Sequence, residues 1–411
     1  MNYNFKNSIL FQLNSKKTIC KRLKIPFKYS TPDIDISHFY SFLYLKKKEK
    51  SNCMIKETKN LRHQSFVCSK NTSKQILTNR PSDFNSHRYR ILVSINKEFE
   101  WLKKSQRLFH KHLVNYIDAP YLHSTVKNKS YATNALEHCG DASYIFSIDI
   151  RSFFTLVDRK KVAFTIMDIL KVEKDVAAFY ANLTTSPKDE PPHHNNEFNL
   201  GQGLPSSPIL AFLANRDLFD YLYLYAKDND VLMTLYVDDL TFSSKNEISQ
   251  LFIDRIIGLI QRAGLLINRL KIKNSRVESV KKTTGVFISR GKPKIPSRKH
   301  EELNIQHSYL CKFLPTINDF ELYFVAYNIY LRFMGNLQFL YQVECRSKDK
   351  TIQIPNKYRK YDMFTKDYGS FFPLGIAKTN KFEYSKNNIR RVSDYKKLKS
   401  AYLSLIKNQK K

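Results

Sequence analysis

The sequence predicts an α+β fold in which helices cover a small antiparallel sheet. The stretch 232–244 is apolar, β-branched and aromatic on both sides of an acidic turn, which is typical of two short strands in a hairpin. A second apolar stretch at 144–150 has the same character. Segments 159–183 and 251–263 instead follow a helical pattern, and the second is expected to pack under the sheet. Strands and helices mixed in this way favour the α+β class.

The turn of the predicted hairpin holds two adjacent carboxylates, Asp238 and Asp239. Two anions in a low-dielectric setting repel each other and lose hydration, so a nearby cation is expected to compensate them. A hard divalent metal is the usual cation for carboxylate oxygens. The alternative is an ordinary Asp-Asp turn that only closes a hairpin.

A further carboxylate, Asp149, lies near the end of the stretch 144–150. Two Mg²⁺ ions bridged by carboxylates from separate strands can activate a hydroxyl nucleophile and stabilise the leaving oxygens of a phosphoryl displacement. Asp149 is therefore a candidate third ligand. The alternative is a carboxylate that caps the element after the strand.

The stretch 199–215 begins with a turn rich in Gly, Pro and Ser and continues as an apolar helix. Gly201 and Gly203 allow the backbone to approach a ligand closely, and Gln202 could form a hydrogen bond with it. Taken alone, the pattern is also that of a loop before a helix.

The chain has 411 residues, and its 69 Lys and Arg against 37 Asp and Glu give a formal net charge of +32. With 42% hydrophobic residues it can still bury a substantial core, so a disordered polycation is excluded and a polyanionic partner is expected. The six cysteines have no Cys-x-x-Cys spacing and are interpreted as reduced thiols. No apolar run reaches the length of a membrane span, so we expect a cytoplasmic protein without a membrane partner.

Three motifs, in this order along the chain, resemble those of reverse transcriptases. They are Asp149 with Phe153-Phe154, the series Gln202-Gly203, Ser207-Pro208 and Asn215, and Tyr236-Val237-Asp238-Asp239. The stretch 263–271 is similar to the Asn-x-x-Lys motif of the same family, which implies that Lys271 protonates or neutralises departing pyrophosphate. The resemblance implies a right-hand polymerase with fingers, palm and helical thumb. It also implies RNA-directed DNA synthesis with two Mg²⁺ ions held by Asp149, Asp238 and Asp239, with Ile150 beside them.

Substrate-binding residues are implied by the same resemblance. Arg90 is the candidate triphosphate contact in the fingers, and Phe154 would exclude a ribose 2′-hydroxyl so that dNTPs are preferred. Further contacts with the nucleotide and the templating pair are assigned to Ile150, Phe153, Gln202 and Gly203. The expected domains are an N-terminal helical or irregular region 1–86, fingers 87–148, a catalytic palm 149–290 with a finger helix insertion, and a basic thumb 291–411.

Two further features resemble bacterial retron reverse transcriptases. Asn134-Ala-x-x-His138 matches the Asn-Ala-x-x-His signature of that group, and Thr283-Thr284-Gly285 stands where the group has Val-Thr-Gly. From the residues alone, the preferred interpretation of His138 is a capping or core histidine one helical turn from Asn134. The thumb interleaves basic and aromatic residues, as in Tyr358-Arg-Lys-Tyr361, a pattern suited to phosphate contacts and base stacking. The predicted RNA-binding and retron-signature set consists of Asn134, His138, Thr284, Gly285 and Arg298.

The retron resemblance implies synthesis of branched RNA-linked single-stranded DNA (msDNA) from a cognate structured noncoding RNA (msr-msd). Expected partners are that RNA, its DNA product, dNTPs, a separate effector protein and host RNase H, within an antiphage defence system. The alternatives are a reverse transcriptase of the group II intron, diversity-generating or abortive-infection type, and an RNA-binding protein on a degenerate polymerase fold. The RNA sequence, effector, phage trigger, oligomeric state, retron subtype and priming nucleotide are not encoded in recognisable motifs.

Overall fold

A computed structural model describes residues 1–29, 39–46, 76–77, 89–140, 144–188, 197–268, 272–275, 281–289, 291–346, 352–373 and 392–409. The chain divides into two compact units. Unit 1 consists of residues 1–130 and 146–274, and unit 2 consists of residues 131–145 and 275–411. Unit 2 thus includes a short segment that interrupts unit 1 in the sequence.

The helices are α1 (Lys16–Leu23), α2 (Glu100–Val114), α3 (Tyr131–Glu137), α4 (Arg159–Leu170), α5 (Lys174–Thr184), α6 (Ser207–Leu213), α7 (Arg216–Asp228), α8 (Gln250–Arg262), α9 (Ser297–Phe313), α10 (Phe320–Glu344), α11 (Arg359–Tyr368) and α12 (Val392–Gln409). The strands are β1 (Asn2–Tyr3), β2 (Tyr40–Lys46), β3 (Ile76–Leu77), β4 (Tyr89–Ile95), β5 (Ile117–Asp118), β6 (Tyr144–Arg151), β7 (Ser186–Pro187), β8 (Phe198–Asn199), β9 (Leu232–Tyr236), β10 (Asp239–Ser244), β11 (Leu266–Ile267), β12 (Lys273–Ser275), β13 (Lys281–Thr283), β14 (Val286–Ser289) and β15 (Lys292–Lys294).

The main sheet has the strand order β11-β6-β10-β9, and β12 also pairs with β6. Strands β9 and β10 form the predicted antiparallel hairpin, and β11 runs antiparallel to β6. Helix α8 covers this sheet, because Phe252 makes an edge contact with Phe242, whose ring in turn stacks on Phe146. The side chain of Ser249 accepts a hydrogen bond from the Phe252 backbone N–H and so begins the helix. The α+β fold with an antiparallel sheet is therefore confirmed.

Two elements differ in detail from the sequence interpretation. The helical pattern 159–183 is divided into α4 and α5, because Lys171 adopts a left-handed conformation (φ 51°) that ends the first helix. Within the region predicted to be helical or irregular, residues 40–46 form β2, which pairs along its length with β4. Pairing with a distant partner strand, which no local pattern encodes, selects the extended conformation here.

Unit 2 is built around the long helix α10. Its buried face supplies an aromatic core in which Tyr323 stacks on Phe372 and Phe333 contacts Phe364. Tyr358 and Tyr361, expected to stack on bases, also lie in this core, and their hydroxyls donate hydrogen bonds to Glu344 and Asn304. Their rings are therefore structural, and the expected stacking of these two rings on bases is wrong for this conformation. In the described part of the chain, no helix combines the length and apolar character that a membrane crossing requires.

Candidate catalytic site

The acidic turn joins β9 to β10 and carries Asp238 and Asp239. Tyr236 pairs with Asp239, so Val237 and Asp238 form a two-residue loop. Val237 has φ 59°, a left-handed conformation that a β-branched residue adopts only under strain. Strained residues of this kind cluster at functional sites, where the surrounding structure holds them. The turn is thus held in a defined conformation with both carboxylates partly exposed.

Asp149 lies on β6, the strand next to β10 in the sheet. The backbone N–H of Ile150 donates a hydrogen bond of 2.9 Å to the carbonyl oxygen of Asp238. This bond connects the residue after Asp149 directly to the acidic turn. The structure therefore places Asp149 on the strand beside the acidic turn, and its neighbour Ile150 contacts Asp238 through the backbone.

Asn268 is a site residue that the sequence analysis did not single out. Its backbone N–H donates to the Asp149 carbonyl oxygen at 3.0 Å, and its Nδ2 donates to Asp149 Oδ2 at 3.4 Å. Pairing of Ile267 with Ile150 holds β11 in this register. Asn268 is the Asn of the Asn-x-x-Lys motif, which could have pointed to it. The resemblance implied a role only for the Lys of that motif. Asn268 orients the Asp149 carboxylate.

The chemistry of these donors fits a hard divalent cation, since carboxylate and carbonyl oxygens are the ligands that Mg²⁺ takes in proteins. Among the residues that the structure describes, no group of three or more His, Cys, Asp or Glu side chains converges into a metal cage. Burial, and then the charge of Asp239, raises the pKa of the Tyr236 hydroxyl. The hydroxyl consequently stays neutral beside the acidic turn.

Phe153 and Phe154 follow Asp149 but have different environments. Phe153 is 2% exposed and contacts Phe219 at 6.1 Å between ring centroids, so it belongs to the core. Phe154 is half-buried and packs on Phe153 with centroids 5.7 Å apart. Of the two rings, Phe154 is the more exposed, and Phe153 packs against it.

The Gly201–Gly203 loop packs against β4, the strand that pairs with β2. The Val93 backbone N–H donates to the Gln202 carbonyl oxygen at 2.8 Å. Gly203 has φ 115°, and a Cβ there would lie 2.6 Å from the Val93 carbonyl oxygen, so only glycine fits. The Ser207 hydroxyl donates to the Gly201 carbonyl oxygen at 2.7 Å and fixes the start of α6. Gln202 remains partly exposed for contact with a ligand.

His123 is a buried group next to the hairpin. It is 2% exposed, and its backbone N–H donates to the Leu235 carbonyl oxygen of β9 at 2.8 Å. Burial, followed by the nearby charge of Lys129, lowers the pKa of its imidazole to about 3. His123 is consequently neutral at pH 7 and supports β9.

The side chains of two predicted site residues are outside the described part of the chain. Lys271 lies outside the described residues. Arg90 lies on β4, where its backbone pairs with Leu45, but its side chain is outside the described part of the chain. The roles of both remain predictions.

The retron-signature residues all lie in unit 2. Asn134 and His138 have no exposed surface, and Thr284 and Gly285 form the turn between β13 and β14. Arg298 lies on α9, is exposed and forms an ion pair of 3.2 Å with Glu302. The structure thus separates a buried pair from three residues at or near the surface.

Comparisons with known proteins agree with this geometry. Residues 74–305, more than half of the chain, match the family Reverse transcriptase (RNA-dependent DNA polymerase). The Retron Ec86 reverse transcriptase of Escherichia coli is 28% identical over 263 residues, covering 64% of this chain and 72% of that protein. The Retron Mx65 reverse transcriptase of Myxococcus xanthus is 27% identical over 221 residues, covering 49% and 51% respectively, so the match spans about half of that relative.

Among solved structures, apo telomerase from Candida tropicalis matches with a TM-score of 0.37 and 12% identity, covering 62% of this chain and 55% of the telomerase. A form of the same telomerase truncated from its C-terminal domain matches with a TM-score of 0.35 and 12% identity, covering 51% and 53%. The family match extends over Asp149, the Gly201–Gly203 loop and the acidic hairpin. The two curated relatives that it matches are retron reverse transcriptases, and the chain therefore belongs to the reverse transcriptase family of RNA-directed DNA polymerases.

Proposed function

We propose that this chain is a retron reverse transcriptase that makes branched RNA-linked DNA from its own structured noncoding RNA. The observation that carries the catalytic part is the hydrogen bond from Ile150 to Asp238, which joins the strand of Asp149 to the acidic turn. The support for the retron part is the resemblance of Asn134 to His138 and Thr283 to Gly285 to the retron signatures, together with the two retron relatives.

The carboxylates of Asp149, Asp238 and Asp239, with the main chain of Ile150, would hold two Mg²⁺ ions. When bound, these ions would activate the primer hydroxyl and stabilise the pyrophosphate leaving group. Asn268 keeps the Asp149 carboxylate oriented through its Nδ2 hydrogen bond. Lys271 would give a proton to the departing pyrophosphate, and Arg90 would bind the triphosphate through its guanidinium fork.

The templating base pair would lie over the Gly201–Gly203 loop. Gly203 is exposed and without a side chain, so the backbone can approach the pair closely. Gln202 has its carbonyl oxygen engaged by Val93, which leaves its side chain to bind the ligand. The contact with β4 would thereby link the fingers strand to the pocket.

Phe154 would select dNTPs over rNTPs. Its ring is the accessible member of the Phe153–Phe154 pair and would occupy the space that a ribose 2′-hydroxyl needs. Phe154→Ala is expected to increase rNTP incorporation at least about tenfold relative to dNTP in single-nucleotide extension. Phe164→Ala, which removes an exposed ring on α4, is the matched control. Unchanged selectivity in Phe154→Ala would remove Phe154 from this role.

By resemblance to retrons, the first primer would be the 2′-hydroxyl of a guanosine in the noncoding RNA. Host RNase H would trim the template, and a separate effector protein would be held in check as part of an antiphage defence system. This proposal places the protein in the cytoplasm. The exposed cations of unit 2, including Arg298, would contact the RNA.

The test is to express the chain with the noncoding region upstream of its coding sequence and to extract total nucleic acid. A short DNA whose mobility changes after RNase and after debranching enzyme treatment is the expected product. Asp238→Asn expressed in the same way is the control for polymerase dependence. Extension of an annealed primer without any branched DNA would retain the polymerase and reject the retron proposal.

A further inference from the structure

The segment 131–140, which contains α3, is attached to the rest of unit 2 at both ends. At its start, the Thr284 hydroxyl donates a hydrogen bond of 2.8 Å to the Tyr131 carbonyl oxygen. At its end, the Gly140 N–H donates a bond of 2.9 Å to the Gly291 carbonyl oxygen. The segment is therefore held by two hydrogen bonds to residues that are distant in the sequence.

The first attachment uses a strained residue. Thr283 pairs with Val286, so Thr284 and Gly285 form a two-residue loop in which φ is 45° and 89°. Such a loop needs positive φ at both positions and usually has Asn or Asp before Gly. A β-branched Thr at the first position is unfavourable. The hydrogen bond from its hydroxyl to the Tyr131 carbonyl oxygen of α3 compensates for this strain.

The second attachment tolerates only glycine. Gly291 has φ 69°, and a Cβ on it would lie 2.5 Å from the Gly140 carbonyl oxygen. That oxygen belongs to the backbone and cannot move aside without displacing the segment. A side chain at position 291 would therefore separate the two backbones.

Between the attachments, the segment turns its signature residues inward. Ala132 and Ala135 have no exposed surface and pack in the core of unit 2 with Val286. Asn134 and His138 are likewise fully buried. A nucleic acid at the surface cannot touch these side chains in this conformation, so a role of the segment in RNA use depends on where the segment is held.

We propose that Thr284 and Gly291 are positioning residues that hold the segment 131–140 in the conformation used with the cognate RNA. This inference rests on the proposed retron function. The segment leads along the chain into β6, the strand of Asp149. Loosening it impairs use of the structured RNA rather than the chemical step.

Thr284→Val keeps the β-branched shape and removes only the hydroxyl, whereas Thr284→Ser keeps the hydroxyl. For DNA synthesis on RNA transcribed from the upstream noncoding region, Thr284→Val is expected to raise KM for that RNA about fivefold, the effect of one lost hydrogen bond. The value of kcat is expected to change less than about twofold. Thr284→Ser is expected to restore KM. Thr316→Val is the matched control, because its hydroxyl donates only to Phe313 within the same turn.

Gly291→Ala tests the second attachment and should raise the same KM at least as much as Thr284→Val. Gly335→Ala is its control, because a Cβ at that helical position meets nothing within 4 Å. Melting temperatures are measured for every variant.

Three results would each overturn the positioning role. They are an unchanged KM in Thr284→Val, a failure of Thr284→Ser to restore KM, and an equal loss of kcat on cognate RNA and on an annealed primer–template. A wild-type enzyme that extends an annealed primer but makes no DNA on the cognate RNA rejects the proposed function itself, and the inference with it.

Discussion

At the residue scale, two of the strained backbone positions lie within predicted motifs. Val237 and Thr284 are β-branched residues with positive φ, and each lies in a two-residue hairpin loop within a predicted motif. Lys24 and Lys171 have positive φ for a different reason, because each ends a helix. The residue after Val237 is Asp238, whose backbone carbonyl oxygen accepts the hydrogen bond from the Ile150 N–H. Backbone strain thus coincides with the position of the acidic turn.

Replacing Asp238 tests the catalytic assignment at this scale. Asp238→Asn retains the shape and the turn but removes a charge, so primer extension is expected to fall at least about a hundredfold. Asp254→Asn removes an exposed carboxylate from α8, where Asp254 accepts a hydrogen bond from Gln250. This change should leave extension within about twofold of wild type. Steady-state extension of an annealed primer measures both. Near-normal extension by Asp238→Asn would exclude it as a metal ligand.

The buried imidazole of His123 predicts how stability depends on pH. Its pKa is about 3 in the folded chain and about 6.5 in the unfolded chain, so the unfolded state binds more protons between these values. The stability contributed by neutral His123 is full above about pH 6.5 and is lost as pH falls towards 3. Melting temperatures from pH 7 to pH 5 should therefore decrease. The decrease should be smaller in His123→Gln, which cannot be protonated, and an identical pH dependence in both proteins would refute this assignment.

At the element scale, the contact between the glycine loop and β4 depends on the absence of a side chain. In Gly203→Ala the new Cβ would meet the Val93 carbonyl oxygen, and the positive φ adds strain, so the loop must leave β4. Extension efficiency (kcat/KM for dNTP) is expected to fall at least about tenfold. In Gly258→Ala, on α8, the Cβ meets nothing within 4 Å, and the change should stabilise the protein by about 0.5–1 kcal/mol. Equal kinetics for the two variants would contradict this role of the loop.

Elements were predicted well where the pattern is local. The hairpin β9–β10 and helix α8 follow from alternation and helical periodicity, because each forms most of its contacts within one continuous stretch. The break between α4 and α5 was not predicted, since it depends on the left-handed conformation of Lys171. Strand β2 lies in a region predicted to be helical or irregular, because its conformation depends on pairing with β4 far along the chain.

At the scale of the whole molecule, the charge of +32 predicts salt-sensitive RNA binding. Each phosphate that the protein neutralises should contribute roughly −0.7 to −0.9 to the slope of log affinity against log salt concentration. A slope of −3 or steeper, roughly four phosphates, is expected for the cognate RNA in filter binding between about 50 and 200 mM salt. A scrambled RNA of equal length is the control and should show a similar slope with weaker binding. A slope near zero would contradict the assignment of the basic surface to RNA.

The sequence by itself determined the family and the order of the motifs, and it identified three carboxylates as candidate metal ligands. These depend on residue types at short spacings, which the chain carries independently of its folding. Only the tertiary structure decided that Asn268 donates a hydrogen bond to Asp149 and that Val93 donates one to the glycine loop. It also decided which signature and aromatic residues are buried, namely Asn134, His138, Tyr358 and Tyr361. Each of these depends on which distant segments pack together. Hydrogen bonds and burial between distant segments are set by the complete fold, and no local pattern records them.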